Sequence, residues 1–411
     1  MANPTATHPA ATAETLPETP DFDVYPVTET IAAAETEGGS VTLTWSDGRT
    51  SRYHALWLRE NAADEATINP LTREATYDFT AAPEDLHAAS VGVDAAGALA
   101  VRFEPEGHET RFHPGWLRAH DYSDDDSGGA PAALDPVAPQ LWTAADMAEP
   151  PTFDGAAILT DDAVLESWLT ALARFGVARL RDVATEPGMV GRVARRIGTV
   201  RDSNFGLIFD VRARPDPDSN AYTSLALPAH TDLPTREYQP GLQFLHCMEN
   251  STAGGNATYV DGFAVADHIR RSDADAFRAL TEIDWTFTNR ARNSDYRWRS
   301  PTVVLGPDGG YREVRLGGFL RGPLAAPFDK IGPAYRALKL YTKLAGDPAF
   351  QLAFAYRPGD LVGFDNRRVL HGREAFDAGG GARWLQGCYG EREELHSRLR
   401  VLARNRRAAG G

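Results

Sequence analysis

The sequence reads as a mainly β protein with flanking helices, a large domain of barrel or jelly-roll type preceded by a small β-rich one. Three observations predict this. The chain has 411 residues, too many for one ordinary core and enough for two domains. Its second half breaks into many short strands separated by Gly-rich turns, with few helices between them. Its first third contains a repeat: GRTSRYHALWLR (Gly48 to Arg59) matches GHETRFHPGWLR (Gly107 to Arg118) at Gly, Arg, aromatic, His, Trp, Leu and Arg. A segment used twice is one supersecondary unit used twice, expected here to be strand, turn and strand. Its aromatic positions, Trp57 and Trp116 among them, are expected to be core of the small domain.

Taken in order, residues 1–37 are rich in Ala, Thr, Pro and Glu and are expected to form a disordered tail. From Gly38 the pattern turns β. VTLTW alternates, SDGR is a turn, and the chain resumes as strand. The small domain is assigned 38–122. The acidic, Gly/Pro-rich run DYSDDDSGGAPAALDPVAPQ has no period and places a linker at 123–150. The large domain is assigned 151–404, with a short tail at 405–411. Within it, Val164, Trp168, Leu169, Leu172 and Phe175 recur at helical spacing and stop at Gly176. EPGMVGRVARRIG and GPAYRALKLYTKLAG read as two further helices, while ENSTAGGN, GPDGG and FDAGGG mark turns between strands.

Composition sets the outer limits. The hydrophobic fraction is 42%, ordinary for a globular chain, and no segment approaches the apolar length of a membrane span. Two cysteines, Cys247 and Cys388, exclude a disulfide scaffold and fit a reducing cytoplasm. A formal charge of −15 argues against a nucleic-acid partner, which needs a basic footprint. The first twenty residues have neither a basic n-region nor an apolar h-region, and they carry glutamates and no arginine. The expectation is a cytoplasmic protein with a small-molecule partner, and with neither nucleic acid nor membrane.

The chemistry starts in LALPAHTDLPTREYQPGLQFLHC (Leu225 to Cys247). His230 and Asp232 stand two apart in a run that reads as strand and turn, so their side chains point the same way. This is the only His-x-Asp or His-x-Glu in a chain with 11 histidines. Downstream, His371 ends an apolar run and is followed by Gly372. Arg383, Leu385, Gly387 and Tyr389 then share one face of a strand. An arginine, a glycine and a tyrosine make poor core there but a sensible pocket. The glycine leaves room and the arginine clamps a carboxylate bidentately. Two histidines and one carboxylate are the donor set of the facial triad in non-haem Fe(II) oxygenases, which leaves positions open.

The order His-x-Asp, distant His and Arg twelve residues later resembles the 2-oxoglutarate-dependent dioxygenases. SNAYTSLALPAHTDLPTREYQPGLQFLHC, GGNATYVDGF and FDNRRVLHGREAFD resemble, within them, the gamma-butyrobetaine dioxygenase family, and the likeness runs from about Ser40 to Arg404. It implies a double-stranded β-helix (jelly roll), Fe(II) held by His230, Asp232 and His371, and 2-oxoglutarate gripped at its distal carboxylate by Arg383. It implies contacts from Leu245 and Ser219 to the cosubstrate. It also implies a cage of Phe205, Phe209, Tyr222 and Tyr389 around a trimethylammonium group, with Asn220 beside the substrate. O2 is the second cosubstrate, ascorbate a candidate stimulant, and a homodimer the candidate assembly.

The implied reaction is hydroxylation of gamma-butyrobetaine to L-carnitine. The alternative is the same chemistry on a sibling such as trimethyllysine or a trimethylaminoalkyl phosphonate. A zinc hydrolase on the same ligands would need a general base beside them, and none is evident. A non-catalytic quaternary-ammonium binder would have no use for Arg383. Two departures stand out. Relatives carry a cysteine cluster that completes a zinc site with a histidine. Here LRENAADEATINP has no cysteine, and His108 alone cannot hold structural zinc, so none is expected. Gly317 and Gly318 stand where relatives have an asparagine used for the substrate carboxylate.

Overall fold

Met1–Leu134 with Arg404–Gly411, and Asp135–Ala403, are the two compact units of the computed structural model. It describes residues 15–123, 136–212, 223–291, 294–377 and 381–410. In the first unit the repeat folds as two meanders. Strands β1 (Ile31–Glu37), β2 (Ser40–Trp45) and β3 (Thr50–His54) make one antiparallel sheet, followed by helix α1 (Ala55–Glu60). Strands β4 (His87–Val93), β5 (Leu99–Glu104) and β6 (His108–Phe112) make the other, followed by α2 (Pro114–Ala119).

The repeated segment is therefore strand then helix, which corrects the expected strand, turn and strand. Alternation ends at His54 and His113, both extended N-cap residues. Beyond them Ala55 and Leu58, three apart, turn one helical face to the core. Trp57 and Trp116 stack with ring centroids 5.2 Å apart, and Trp116 is buried. His108 pairs with Asp64 at 2.9 Å, and Asp64 also accepts from Thr67 Oγ1 at 2.9 Å.

Three domain boundaries differ from expectation. The ordered chain starts before Gly38, because β1 pairs with β2 from Ile31↔Trp45 to Glu37↔Ser40. Backbone pairing holds this edge strand, so its Ala/Thr/Glu composition carries little apolar signal. The proposed linker does not reach residue 150. Trp142 is buried and its indole N–H donates to the Phe175 carbonyl at 2.6 Å. Residues 124–135 of that linker, and 1–14 of the tail, lie outside the described residues. At the other end the expected tail from 405 is helical through Gly410.

Along the second unit come β7 (Thr152–Asp154), α3 (Asp162–Phe175), β8 (Val177–Arg181), α4 (Met189–Ile197), β9 (Phe209–Val211), β10 (Leu227–His230), β11 (Leu242–Asn250) and β12 (Ala257–Asp261). Helices α5 (Gly262–Ser272) and α6 (Ala274–Glu282) precede β13 (Trp285–Ala291), β14 (Ser294–Ser300), β15 (Val303–Leu305) and β16 (Tyr311–Val314). Then follow α7 (Phe328–Ala345), β17 (Gln351–Phe354), β18 (Leu361–Asp365), β19 (Val369–Arg373), β20 (Arg383–Gly390) and α8 (Arg392–Gly410). The three helices expected here are α3, α4 and α7. Helix α3 starts where Asp161 accepts from the N–H groups of Ala163 and Val164, and it stops at left-handed Gly176, φ 73°.

Two sheets carry the site. One runs β7-β8-β18-β11-β20-β9 and the other β10-β19-β12-β17. All their pairs are antiparallel except β7 with β8. They pack face to face: Tyr259 of β12 meets Phe364 of β18 at 5.3 Å. Ala257 and Leu352 join Cys247, Val362 and Leu385 in the same core. The outer face of the six-stranded sheet is covered by α3 and α4 through Trp168, Leu172, Val193 and Phe244. A separate core gathers α5, α6 and α7 around Trp285 and Tyr341.

Candidate active site

Strands β10 and β19 pair so that His230 lies directly opposite His371. Their rings are 4.2 Å apart between centroids. Asp232 follows in the loop after β10. Thr231 between them is buried and donates its N–H to Leu316 O at 2.8 Å, so alternation sends His230 and Asp232 to the same side. Asp232 Oδ1 lies 3.3 Å from His230 Nε2 and 3.6 Å from His371 Nε2. One donor atom from each of the three falls within 4.8 Å of the others.

Neighbours fix this arrangement. His230 Nδ1 sits 2.9 Å from the Pro228 carbonyl, which assigns the proton to Nδ1 and leaves the Nε2 lone pair facing Asp232. Asp232 is held at both ends. Its N–H donates to Asn366 Oδ1 at 2.7 Å, and Asn366 Nδ2 donates to its carbonyl at 3.0 Å. The Tyr389 hydroxyl donates to Oδ2 at 2.7 Å. Burial would raise the Asp232 pKa, but the two imidazoles and the Tyr389 hydroxyl outweigh it and hold the carboxyl well below the usual range. Burial, with the ring of His230, pushes His371 down to about 3. The neutral imidazole of His371 and the carboxylate of Asp232 are therefore ready at neutral pH, beside Nε2 of His230, a donor set that fits Fe(II).

The triad opens into a cavity of about 510 Å³. Arg383 and Tyr389 both line it, from opposite ends of β20 and the same face, as alternation requires. The guanidinium of Arg383 lies 5.5 Å from the Phe376 ring, and its Nε is buried with no hydrogen-bond partner among the described residues. A buried cationic donor left open this way fits a carboxylate ligand. Leu245 lines the cavity beside it. Phe205 and Phe209 pack at 5.9 Å, and Phe209 meets Tyr389 at 5.0 Å, so three of the four expected cage aromatics stand together. Tyr222, Ser219 and Asn220 lie outside the described residues. At Gly387 a Cβ would fall 2.5 Å from Phe209 Cε2, so the bare backbone leaves room for that ring.

Other cavity residues escaped the sequence reading. Arg373 shares the His371 face of β19 and donates to the carbonyls of Thr223 and Leu225 at 2.7 and 2.8 Å. Burial, then the charge of Arg383, lowers it to about 10. The same two-residue rule that picked out Asp232 would have found it. Gln243 lies opposite Tyr389 across β11 and β20, and its Oε1 is buried without a partner among the described residues. Asn204 and Asn289 carry no titratable group and lie in none of the quoted motifs, so nothing in the sequence marked them; Asn366, outside the cavity lining, lies within FDNRRVLHGREAFD but has no titratable group to single it out.

Residues 134–389 match the family described as "Taurine catabolism dioxygenase TauD, TfdA family". Over 384 residues the chain is 42% identical to a gamma-butyrobetaine dioxygenase of Pseudomonas sp. (strain AK-1), covering 93% of this chain and 99% of that protein. It is 29% identical over 391 residues to the gamma-butyrobetaine dioxygenase of Homo sapiens, covering 91% and 97%. A trimethyllysine dioxygenase of Meyerozyma guilliermondii is 24% identical over 381 residues, covering 89% and 94%.

Proposed function

Because this chain belongs to the TauD, TfdA family of dioxygenases, we propose that it hydroxylates a small trimethylammonium carboxylate, with gamma-butyrobetaine as substrate and L-carnitine as product. The enzyme is a 2-oxoglutarate-dependent dioxygenase that uses Fe(II) and O2. The observation that carries the substrate is the near-full-length likeness to a gamma-butyrobetaine dioxygenase, 42% identical. We read the two facing sheets as a double-stranded β-helix, with the smaller unit as a separate β domain.

Iron, when bound, supplies the activation of O2 that turns 2-oxoglutarate into succinate and carbon dioxide and makes an unactivated C–H bond reactive. The residues supply position. His230, Asp232 and His371 would hold the metal, with Asn366 fixing the Asp232 backbone and Tyr389 its carboxylate. Arg383 would pair with the distal carboxylate of 2-oxoglutarate. Phe205, Phe209 and Tyr389 would face the quaternary ammonium, which has no N–H and is recognised by π faces. The apolar side chains of Leu227, Leu245 and Leu385 in the lining would keep water from the reacting carbon. A longer ammonium such as trimethyllysine is the second reading. It is favoured by the likeness to a trimethyllysine dioxygenase, 24% identical over 381 residues.

The test is succinate release with Fe(II), 2-oxoglutarate and a panel of trimethylammonium compounds. Release that depends on gamma-butyrobetaine above the others is expected. Equal turnover of all, or of none, would remove the substrate assignment. In the same assay Arg383→Ala should raise the KM for 2-oxoglutarate by an amount reflecting roughly 1.5–3 kcal/mol of lost charge-assisted pairing. An unchanged KM would contradict its role.

A further inference from the structure

With Arg383 assigned to the cosubstrate and Gly317 and Gly318 bearing no side-chain donor, none of the residues assigned so far among the described ones is left for the anionic end of the substrate. We infer that Asn204 and Asn289 receive it, with Arg236 behind them as the positive charge that orders both; this rests on the trimethylammonium carboxylate reading.

Both amides line the cavity that holds the triad. Asn289 continues the row of Trp285 and Phe287 on one face of β13. Those two are core, and the row ends at the cavity in a polar group. No hydrogen bond of the Asn289 side chain is found among the described residues. Asn204 Oδ1 accepts from Arg236 Nη2 at 2.9 Å. Its Nδ2, with two N–H donors, is then the end left for a ligand. The Arg236 guanidinium lies 3.3 Å over the ring of Tyr296, and Tyr296 is the cross-strand partner of Asn289. One cation thus touches Asn204 directly and the strand neighbour of Asn289 through its ring.

The charge balance supports the assignment. A second cavity of about 370 Å³ contains Arg236 and shares Asn204 and Leu233 with the first. Arg201 also lines it but is bound to Glu391 at 2.6 Å and to the Tyr238 carbonyl at 2.6 Å. Asp202, the carboxylate in that lining, accepts from the Ser203 N–H. Among the described residues Arg236 has no carboxylate partner. Asn204 directly precedes Phe205 of the cage, so cation and anion would be recognised a short chain apart, as in a four-carbon betaine.

The experiment measures binding of gamma-butyrobetaine and of its uncharged-end methyl ester to the full chain with Fe(II) and 2-oxoglutarate, without oxygen. The unaltered protein should bind the acid at least tenfold more tightly than the ester. Asn289→Ala and Arg236→Gln should each reduce that ratio several-fold, while ester affinity and the Kd for 2-oxoglutarate stay near their starting values. Arg236→Lys should recover part of the ratio. An unaltered ratio in all variants would overturn the assignment, as would equal loss of acid and ester, which is the mark of a merely structural role. Binding of neither ligand by the unaltered protein would overturn the substrate reading and this inference together. Tight acid binding that Asn289→Ala and Arg236→Gln leave intact would overturn this inference alone.

Discussion

Tyr389 has two duties that substitution can separate. Its ring packs against Phe209, and its hydroxyl donates to Asp232 Oδ2. Tyr389→Phe keeps the first and removes the second, so metal affinity should fall about 10–100-fold, the usual effect of losing a partner behind a ligand. Preference for the cation over a neutral tert-butyl analogue should survive. Tyr389→Leu should lose both. Metal titration beside ligand competition reads the two effects, and loss of cation preference in Tyr389→Phe would place the selectivity in the hydroxyl. His246 makes a pH prediction. It is buried on β11, and burial pushes its imidazole down to about 4. The unfolded chain takes up this proton near pH 6.5 and the folded chain only near 4. Its contribution is therefore full above pH 6.5 and shrinks as pH falls, by roughly 1–2 kcal/mol at pH 5. His246→Leu should narrow the gap in melting temperature between pH 7 and pH 5; an unchanged gap would assign the acid sensitivity elsewhere. The triad and Arg383 were legible because they obey the two-residue period of a strand and carry strong donors. Asn366 was not, because its value lies in reaching Asp232, 134 residues away in sequence.

Strand β20 shows what a missing side chain does for an element. At Gly387 a Cβ would come within 2.5 and 2.7 Å of two Phe209 ring atoms, so that ring lies across bare backbone. Gly387→Ala should push Phe209 aside and weaken binding of the quaternary ammonium by roughly 0.5–2 kcal/mol, with the KM for 2-oxoglutarate little changed. Gly390→Ala, three residues on, would meet Phe244 at 3.4 Å and Leu242 at 3.8 Å, ordinary contacts, and should be nearly silent. Equal behaviour of the two variants would show that the clash relaxes. Elements were unevenly legible. Helix α3 announced itself by its apolar spacing and Gly176. Helices α5 and α6 did not, because α5 continues directly from the apolar strand β12 and α6 follows it after the single residue Asp273. The repeat was visible, but its second half was misread: six residues of helix are too few to display a period.

Across the larger unit, one buried ion pair joins distant segments. Arg368 and Asp261 are both almost fully buried and meet at 2.8 Å. Arg368 also donates to the Arg174 and Gln140 carbonyls, and Asp261 caps α5. Arg368→Ala would leave a buried carboxylate with its charge uncompensated and should cost about 3–5 kcal/mol in denaturant unfolding; a cost below about 1 kcal/mol would mean that water reaches Asp261. The division into two units was legible from length and from the repeat, because both depend on what a core can enclose rather than on any one contact. Sheet order was not, because it is set by pairings between strands far apart in the chain. That order has a consequence for how the chain is made. Strand β20 lies inside the six-stranded sheet, between β11 and β9, and so it completes a sheet whose other strands have all been synthesised before it. Until residue 390 has been made, β11 offers nine residues of largely buried-type strand with one edge unpaired. A ribosome that stalls after β18, or a message cut short there, would release a chain with an open apolar edge, which is a template for aggregation.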